Sequence, residues 1–375
     1  MKVMLSGGGT GGHTMPLIAV ADALGQIDDS IELVAVGEKS VDAQPLREDI
    51  ATYYIYSGKY RRYYGESLLT RLSDWRTLLL NLGDVFKAAV GFFQAVYLLR
   101  KQQPDVILIK GGYVSLPLGF AAQLLGVRYV THDSDTVPGL TNRLLAKSAR
   151  KNLVAFPVEH YTYDQDKIIQ TGLPIRALFD GVTKQTAREQ LGIDADEKRV
   201  VIIGGSLGAQ KLNMVAAIIS DQLGALASVL HITGRGGQHE RTEANYTPHD
   251  NYQLTDFVYD DVAQQLAAAD VVITRAGATT LAELSAVGAC AVVVPHPLLT
   301  DAHQLKNAEA VNSYDAGVVI QQQLLESDPK LLLATVDQLL HDQKRRAWLG
   351  ENLGQMFRIN ASENVARVLL DVADS

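Results

Sequence analysis

Cysteine is nearly absent: Cys290 is the one thiol in 375 residues. A lone cysteine closes no internal disulfide and supplies no thiolate zinc cage, so it reads as a small buried core residue. Long apolar runs are missing too. None approaches the roughly 18 consecutive residues of a membrane span. The N-terminal Val3-Met4-Leu5 stretch meets glycines too soon for a secretory signal. The chain is therefore expected to stay in the cytoplasm. Positive charge is in short supply, with 34 Lys and Arg against 42 Asp and Glu and a formal net charge of −8. A general nucleic-acid binder needs a basic footprint to displace counterions, so the balance argues against nucleic acid as a partner.

What is present is a globular composition, 47% hydrophobic and 20% charged, which excludes wholesale disorder. The length suggests two domains, each large enough to bury its own core. Short β-branched runs alternate with amphipathic stretches. In the first half, residues 2–6, 31–36, 106–110, 129–132 and 153–156 read as strands, and 13–24, 84–101, 117–125 and 139–147 as helices. In the second half the strands are 199–204, 229–233, 271–275, 291–295 and 317–320, and the helices 209–223, 262–268, 280–287 and 301–311. This βαβα order implies α/β architecture with parallel sheets covered on both faces. A strand–glycine–helix unit opens each half, at Gly7–Gly12 and at Gly204–Gly208. The repeat implies two Rossmann-like domains facing a shared cleft. The expected divisions are 1–160, 161–345 and a helical tail 346–375 that packs back on the first domain, with a linker near 158–174.

Gly7-x-Gly9-x-x-Gly12 has the form of a dinucleotide fingerprint. Its glycines let backbone approach a phosphate, and the helix that follows offers free N–H groups and a positive dipole end. Glu38 stands where that fingerprint expects an acid, so a nicotinamide-dependent oxidoreductase is a rival reading. Arg275-Ala276-Gly277-Ala278-Thr279-Thr280-Leu281-Ala282-Glu283 follows a strand and opens a helix. Its small residues form a backbone donor nest for an anion, and the Glu283 carboxylate suits paired ribose hydroxyls. The alternative is a capping box with Thr280 as N-cap and Glu283 three residues on. Asp301-Ala302-His303-Gln304 opens the next helix, either as further ligand contacts or as an exposed helix start.

Taken in order, Ser6–His13, Gly111-Gly112-Tyr113-Val114-Ser115, Pro138-Gly139-Leu140-Thr141-Asn142, Gly204-Gly205-Ser206 and Gly277–Glu283 with Gln304 resemble the peptidoglycan glycosyltransferases that form lipid II from lipid I. The resemblance covers nearly the whole chain. It implies a GT-B type fold and UDP-N-acetylglucosamine as donor. The acceptor it implies is undecaprenyl-pyrophosphoryl-N-acetylmuramyl-pentapeptide, with inversion at the anomeric carbon and no cofactor or required metal. It also implies peripheral attachment to the cytoplasmic face of the cell membrane, in the company of other cell-wall synthesis proteins. Donor contacts carried over fall on Thr10, Gly11, Gly12, Asp135, Arg176, Ser206, Val258, Ala278, Thr279, Thr280, Leu281, Ala282, Glu283 and Gln304, and His13 matches a proposed catalytic base. Two departures stand out. His132-Asp133-Ser134-Asp135 replaces His-Glu-x-Asn, so residue 135 keeps an acceptor oxygen and loses an amide donor. Leu207 stands where glutamine is usual. Asp133-x-Asp135 also spells a metal-binding pair, but the same spelling recurs at Asp164–Asp166 and Asp194–Asp196, and the glycine-loop layout argues against it.

Transfer to a hydroxyl needs a base poised near neutral pH, which suits His13, with Asp135 as runner-up. Residues 59–101 carry Lys59, Arg61, Arg62, Arg71, Arg76, Lys87, Arg100 and Lys101 against Glu66, Asp74 and Asp84, interleaved with Tyr60, Tyr63, Tyr64, Leu68, Leu69, Trp75, Phe86, Phe92 and Phe93. Such a stretch suits an anionic membrane surface. Within it, 90–99, with Phe92 and Tyr97, reads rather as a core helix. Two other rivals stay open: a transferase of the same architecture with a different acceptor, and a non-catalytic scaffold.

Overall fold

The computed structural model describes residues 1–8, 11–39, 45–58, 75–205, 209–235, 238–243, 245–247, 249–297 and 302–375; of 11–13, 75–81, 238, 240 and 241 it describes the backbone alone. Thr10, Ser206, Leu207, Asp301, the His13 side chain and the basic residues from Lys59 to Arg76 thus lie outside what is described below.

The chain divides into two units, Met1–Arg176 with Arg358–Ser375, and Ala177–Phe357. The first holds a seven-stranded parallel sheet of β1 (Lys2–Ser6), β2 (Glu32–Glu38), β3 (Ala51–Ile55), β4 (Val106–Ile109), β5 (Tyr129–Asp133), β6 (Lys151–Val154) and β7 (Ile168–Gln170), in spatial order β3-β2-β1-β4-β5-β6-β7. Its helices are α1 (Gly11–Ile27), α2 (Trp75–Gln102), α3 (Ser115–Leu125) and α4 (Leu140–Leu145). The central strands are apolar on both faces, as a sheet covered twice requires. Val3, Leu5, Val106 and Leu108 point into a core made with Leu17, Val20 and Leu24 of α1. Met4, Ile107 and Ile109 point the other way, against Ala95, Leu98 and Leu99 of α2 and Leu118 and Ala122 of α3.

The second unit holds α5 (Lys184–Leu191), β8 (Arg199–Ile203), α6 (Gln210–Ile218), α7 (Ser220–Leu226), β9 (Ser228–Ile232), α8 (Gln238–Glu243), β10 (Tyr252–Thr255), α9 (Val262–Ala268), β11 (Val271–Thr274), α10 (Ala278–Ala286), β12 (Ala291–Val293), α11 (His303–Ser313), β13 (Val318–Val319), α12 (Gln322–Ser327), α13 (Lys330–His341) and α14 (Gln343–Met356). Its sheet runs β10-β9-β8-β11-β12-β13, all parallel. Two parallel α/β units of this kind are the doubly wound plan read from the sequence.

Some elements differ from the sequence reading. The stretch 158–174, read as a linker, carries β7, which pairs with β6 as the edge of the first sheet. The helix read at 209–223 is broken, because buried Ser220 turns its hydroxyl to the Ala217 carbonyl and receives the Thr247 N–H at 3.0 Å. In the tail, α14 belongs to the second unit, whereas α15 (Ala361–Asp374) belongs to the first. Val365, Ala366, Leu369 and Val372 of α15 join Val3 and Leu5 in one core. Leu369 is fully buried, so truncating it costs about 2–5 kcal/mol.

Helix α2 shows two characters. Ala95, Leu98 and Leu99 are core, but Leu82, Val85, Phe86, Phe93 and Tyr97 are exposed, Phe86 and Phe93 by 72% and 70%. Phe92 is partly buried against the core, as the core-helix reading has it, whereas Tyr97, expected in the core with it, is exposed instead. Residues Leu82–Gln102 are long and apolar enough to cross a membrane by length and composition, although no uninterrupted apolar run of that length occurs.

Candidate active site

In a doubly wound sheet the crevice for ligands opens beyond the carboxyl ends of the strands, where the strand order reverses. That point lies between β1 and β4 in the first unit and between β8 and β11 in the second. The four loops that flank these points are the ones the sequence singles out.

In the first unit these loops are stitched together. Ser6 Oγ at the end of β1 lies 2.9 Å from Ser115 Oγ at the start of α3, and the Ser115 hydroxyl donates to the Gly111 carbonyl at 2.8 Å. Thr141 Oγ1 donates to the Gly112 carbonyl at 3.0 Å. Gly111 and Gly112 both sit at positive φ, and a Cβ on Gly112 would come within 2.8 Å of the Gly8 carbonyl oxygen. Only glycine satisfies both conditions at once. Gly11 and Gly12 form the first residues of α1, with His13 next.

The loop after β5 adds a buried polar cluster. The Asp133 carboxylate accepts from Asn142 Nδ2 at 2.9 Å, the Gly139 N–H at 3.2 Å and the Tyr163 hydroxyl at 2.7 Å. Burial pushes its pKa up, against these donors and the nearby Lys110. Asp133 is thus an internal strut that holds the start of α4. His132 donates from Nε2 to the Gly172 carbonyl at 2.9 Å; burial, then Lys110, pushes its pKa well down, which keeps it neutral. The buried His132 Nδ1 and Asn142 Oδ1 have no hydrogen-bond partner among the described residues. Asp135 is half-buried, and its carbonyl accepts from the Tyr161 hydroxyl at 3.0 Å. Arg176 ends the first unit, half-buried. Glu38, the acid of the dinucleotide reading, accepts from Ser57 Oγ at 2.8 Å.

In the second unit the corresponding turns are braced from behind and end in an uncapped helix start. Gly204 and Gly205, at φ +88°, follow β8. Helix α10 has Gly277 as N-cap with no side-chain cap, so the N–H groups of Ala278, Thr279 and Thr280 have no partner within the helix. The capping box with Thr280 as N-cap does not form; Thr280 lies inside the first turn. Ala278, Leu281 and Ala282 turn their side chains inward, which leaves backbone as their means of contact. Thr279 and Thr280 are half-exposed, and Glu283 is buried one turn later. The Arg275 guanidinium donates to the Val294 carbonyl at 3.1 Å, and burial pushes its pKa down to about 10. Asn307 Nδ2 braces the turn through the Ala276 carbonyl at 3.0 Å. Gln304 Oε1 accepts from the His296 N–H at 2.9 Å, which fixes its amide nitrogen as the outward donor. Burial, then Arg275 and His303, lowers the His296 pKa.

Val258 lies between two aromatic neighbours that the sequence reading did not single out. The Phe257 and Tyr259 rings are 4.5 Å apart, and Arg235 lies 4.2 Å from the Phe257 centroid and donates to the Tyr259 hydroxyl at 2.9 Å. Arg235 and Phe257-Val258-Tyr259 follow β9 and β10, so their ends of two neighbouring strands were the available signal. Lys110 was missed as well; a charge directly after the all-apolar Val106–Ile109 was its mark. Among the described residues no cluster of three or more His, Cys, Asp or Glu forms a metal site.

Residues 3–154 match the glycosyltransferase family 28 N-terminal domain, and residues 199–365 match that family's C-terminal domain. A relative from Acetivibrio thermocellus is 31% identical over 99% of this chain and 98% of its own. One from Moorella thermoacetica is 32% identical over the full length of both chains. Both are named UDP-N-acetylglucosamine--N-acetylmuramyl-(pentapeptide) pyrophosphoryl-undecaprenol N-acetylglucosamine transferase. The crystal structure of MurG from Acinetobacter baumannii superposes with a TM-score of 0.75 at 26% identity, over 99% of each chain. The glycosyltransferase VinC shares the fold, with a TM-score of 0.65 at 14% identity over both full chains. The chain belongs to the UDP-N-acetylglucosamine--N-acetylmuramyl-(pentapeptide) pyrophosphoryl-undecaprenol N-acetylglucosamine transferases, a family built from glycosyltransferase family 28 domains.

Proposed function

We propose that the chain is a hexosyltransferase that moves N-acetylglucosamine from UDP-N-acetylglucosamine to the muramyl 4-hydroxyl of undecaprenyl-pyrophosphoryl-MurNAc-pentapeptide, making lipid II with inversion. The observation that carries this reading is full-length similarity to transferases of that name. The second unit holds the donor. Charge that develops on the departing UDP is met by the N–H groups of Ala278, Thr279 and Thr280 that open α10, with Leu281 and Ala282 packed behind them, and by Ser206 and, from the end of the first unit, Arg176. Glu283 takes the ribose hydroxyls, Val258 lies against the base, and the Gln304 amide donates to the sugar. The first unit supplies the acceptor side, with His13 as the base that removes the hydroxyl proton; its Thr10, Gly11, Gly12 and Asp135 are assigned to the donor.

The acceptor's lipid stays in the bilayer, so the enzyme goes to it. The exposed Leu82, Val85, Phe86 and Phe93 of α2, which follow in sequence the basic residues from Lys59 to Arg76 and precede Arg100 and Lys101, suit an anionic membrane surface. The chain then acts as a peripheral protein on the cytoplasmic face, beside other cell-wall synthesis proteins. Incubation with labelled UDP-sugars and lipid I tests the reading: label enters lipid II from UDP-N-acetylglucosamine alone. Transfer from another UDP-sugar, or to another acceptor, would replace it with a different transferase of the same architecture.

A further inference from the structure

Directly after β4, at the carboxyl end of the first sheet, the Lys110 side chain is 3% exposed. A buried ammonium costs several kcal/mol unless it is paired, and the positions before it, Val106–Ile109, are wholly apolar. A methionine or leucine here would serve the core better. The lysine donates from Nζ to Ser134 Oγ, the middle residue of the Asp133-Ser134-Asp135 turn. On one side of that turn Asp133 is fixed by Asn142, Gly139 and Tyr163. On the other, the Asp135 backbone is fixed by Tyr161. Lys110 thus fastens the centre of a turn that ends at half-buried Asp135, beyond the carboxyl end of β5.

We infer that Lys110 is a positioning residue for sugar transfer: through Ser134 it fixes the turn that presents Asp135, and its charge balances the acids on either side. This rests on the reading above, in which Asp135 meets the sugar. The groups that face the amine are Asp133, Asp135 and neutral His132, and around Asp133 stand Tyr161, Tyr163 and, through Tyr163, Arg143. Burial pulls the amine down to about 8 against the opposing pull of the two aspartates. The unfolded chain holds this proton more tightly than the folded one. The charged amine therefore costs stability below about pH 8, and the cost fades as pH rises toward the ordinary lysine range. A purely structural lysine would not be kept charged at that expense.

The test combines Lys110→Met, Lys110→Arg and Asp135→Asn in lipid II synthesis from UDP-N-acetylglucosamine and lipid I, followed from pH 6 to pH 10, with melting curves. Lys110→Met is expected to melt no lower than the parent at pH 7 yet lose about tenfold or more in kcat, the scale of a misplaced contact group. Parent activity should fall on the alkaline side near pH 8, and Lys110→Arg, which stays charged, should keep part of the activity and lose that fall. In the Asp135→Asn background Lys110→Met should add little. A Lys110→Met protein that melts lower but keeps kcat, KM and pH profile overturns the inference, as do additive losses. An arm without activity follows the Lys110 ε-carbon by NMR in the full chain. Its titration near pH 8 should move lower in Asp135→Asn. No movement overturns the inference whatever the enzyme does; movement in a parent that makes no lipid II leaves the coupling intact and defeats the reading of function instead.

Discussion

Where the strand order reverses in the first sheet, the loops are bound to one another; in the second sheet the loop after β11 leads into a helix start with no side-chain cap. Ser6, Ser115, Gly111, Gly112 and Thr141 close a hydrogen-bonded seam, and behind it lies a cluster with Lys110, His132, Asp133 and Asn142 buried together. The second unit ends its strands in an uncapped helix start with Arg275 and His296 close by. One plan therefore serves two chemistries. A stitched acid–base cluster fixes proton positions in one, while in the other an uncapped helix start beside the Arg275 guanidinium has the character of an anion-binding turn.

The largest break in that contrast is expected at His13. His13→Ala should lower turnover by at least ~100-fold while UDP-N-acetylglucosamine binding survives, the usual scale for a general base; near-normal turnover would remove it from that role. Next comes the membrane. Reversing Arg61, Arg62 and Arg71 to Glu should weaken binding to anionic vesicles by roughly 100-fold at low salt, at about 1 kcal/mol per basic residue. Unchanged sedimentation with vesicles would refute the patch. Glu283→Ala should raise the donor KM by about tenfold, the loss of one or two hydrogen bonds to a charged group, and shrink the donor-induced rise in melting temperature accordingly, by the equivalent of about 1.4 kcal/mol at saturating donor.

The smallest effect separates the two kinds of glycine. Gly112→Ala meets the Gly8 carbonyl from a positive φ and should cost about 1–3 kcal/mol in urea unfolding. Gly277→Ala has open space and an ordinary φ of −74°, so it should cost under about 1 kcal/mol. Equal costs would erase the distinction between a stitched loop and an open one.

The central strands were legible because burial on both faces leaves unbroken apolar runs such as Val106–Ile109. Three edge strands, β3, β7 and β10, were not. Their residues are largely half-exposed, so neither a run nor a strict alternation marks them. The glycine loops and the α10 start were legible because phosphate-type sites impose residue types at fixed spacing. Lys110, Arg235 and the Phe257–Tyr259 platform were not, because each acquires its meaning from a neighbour far along the chain: Ser134 for the first, Tyr259 for the second. Spacing alone also suggested a capping box at Thr280, whereas the helix begins three residues earlier.

The division of labour between the units is tested most directly by the melting-temperature rise that UDP-N-acetylglucosamine produces in His13→Ala and in Glu283→Ala, measured side by side. The rise should persist at parental size in the first protein and shrink clearly in the second. A smaller rise in His13→Ala together with a rise of parental size in Glu283→Ala would contradict the assignment of the donor to the second unit.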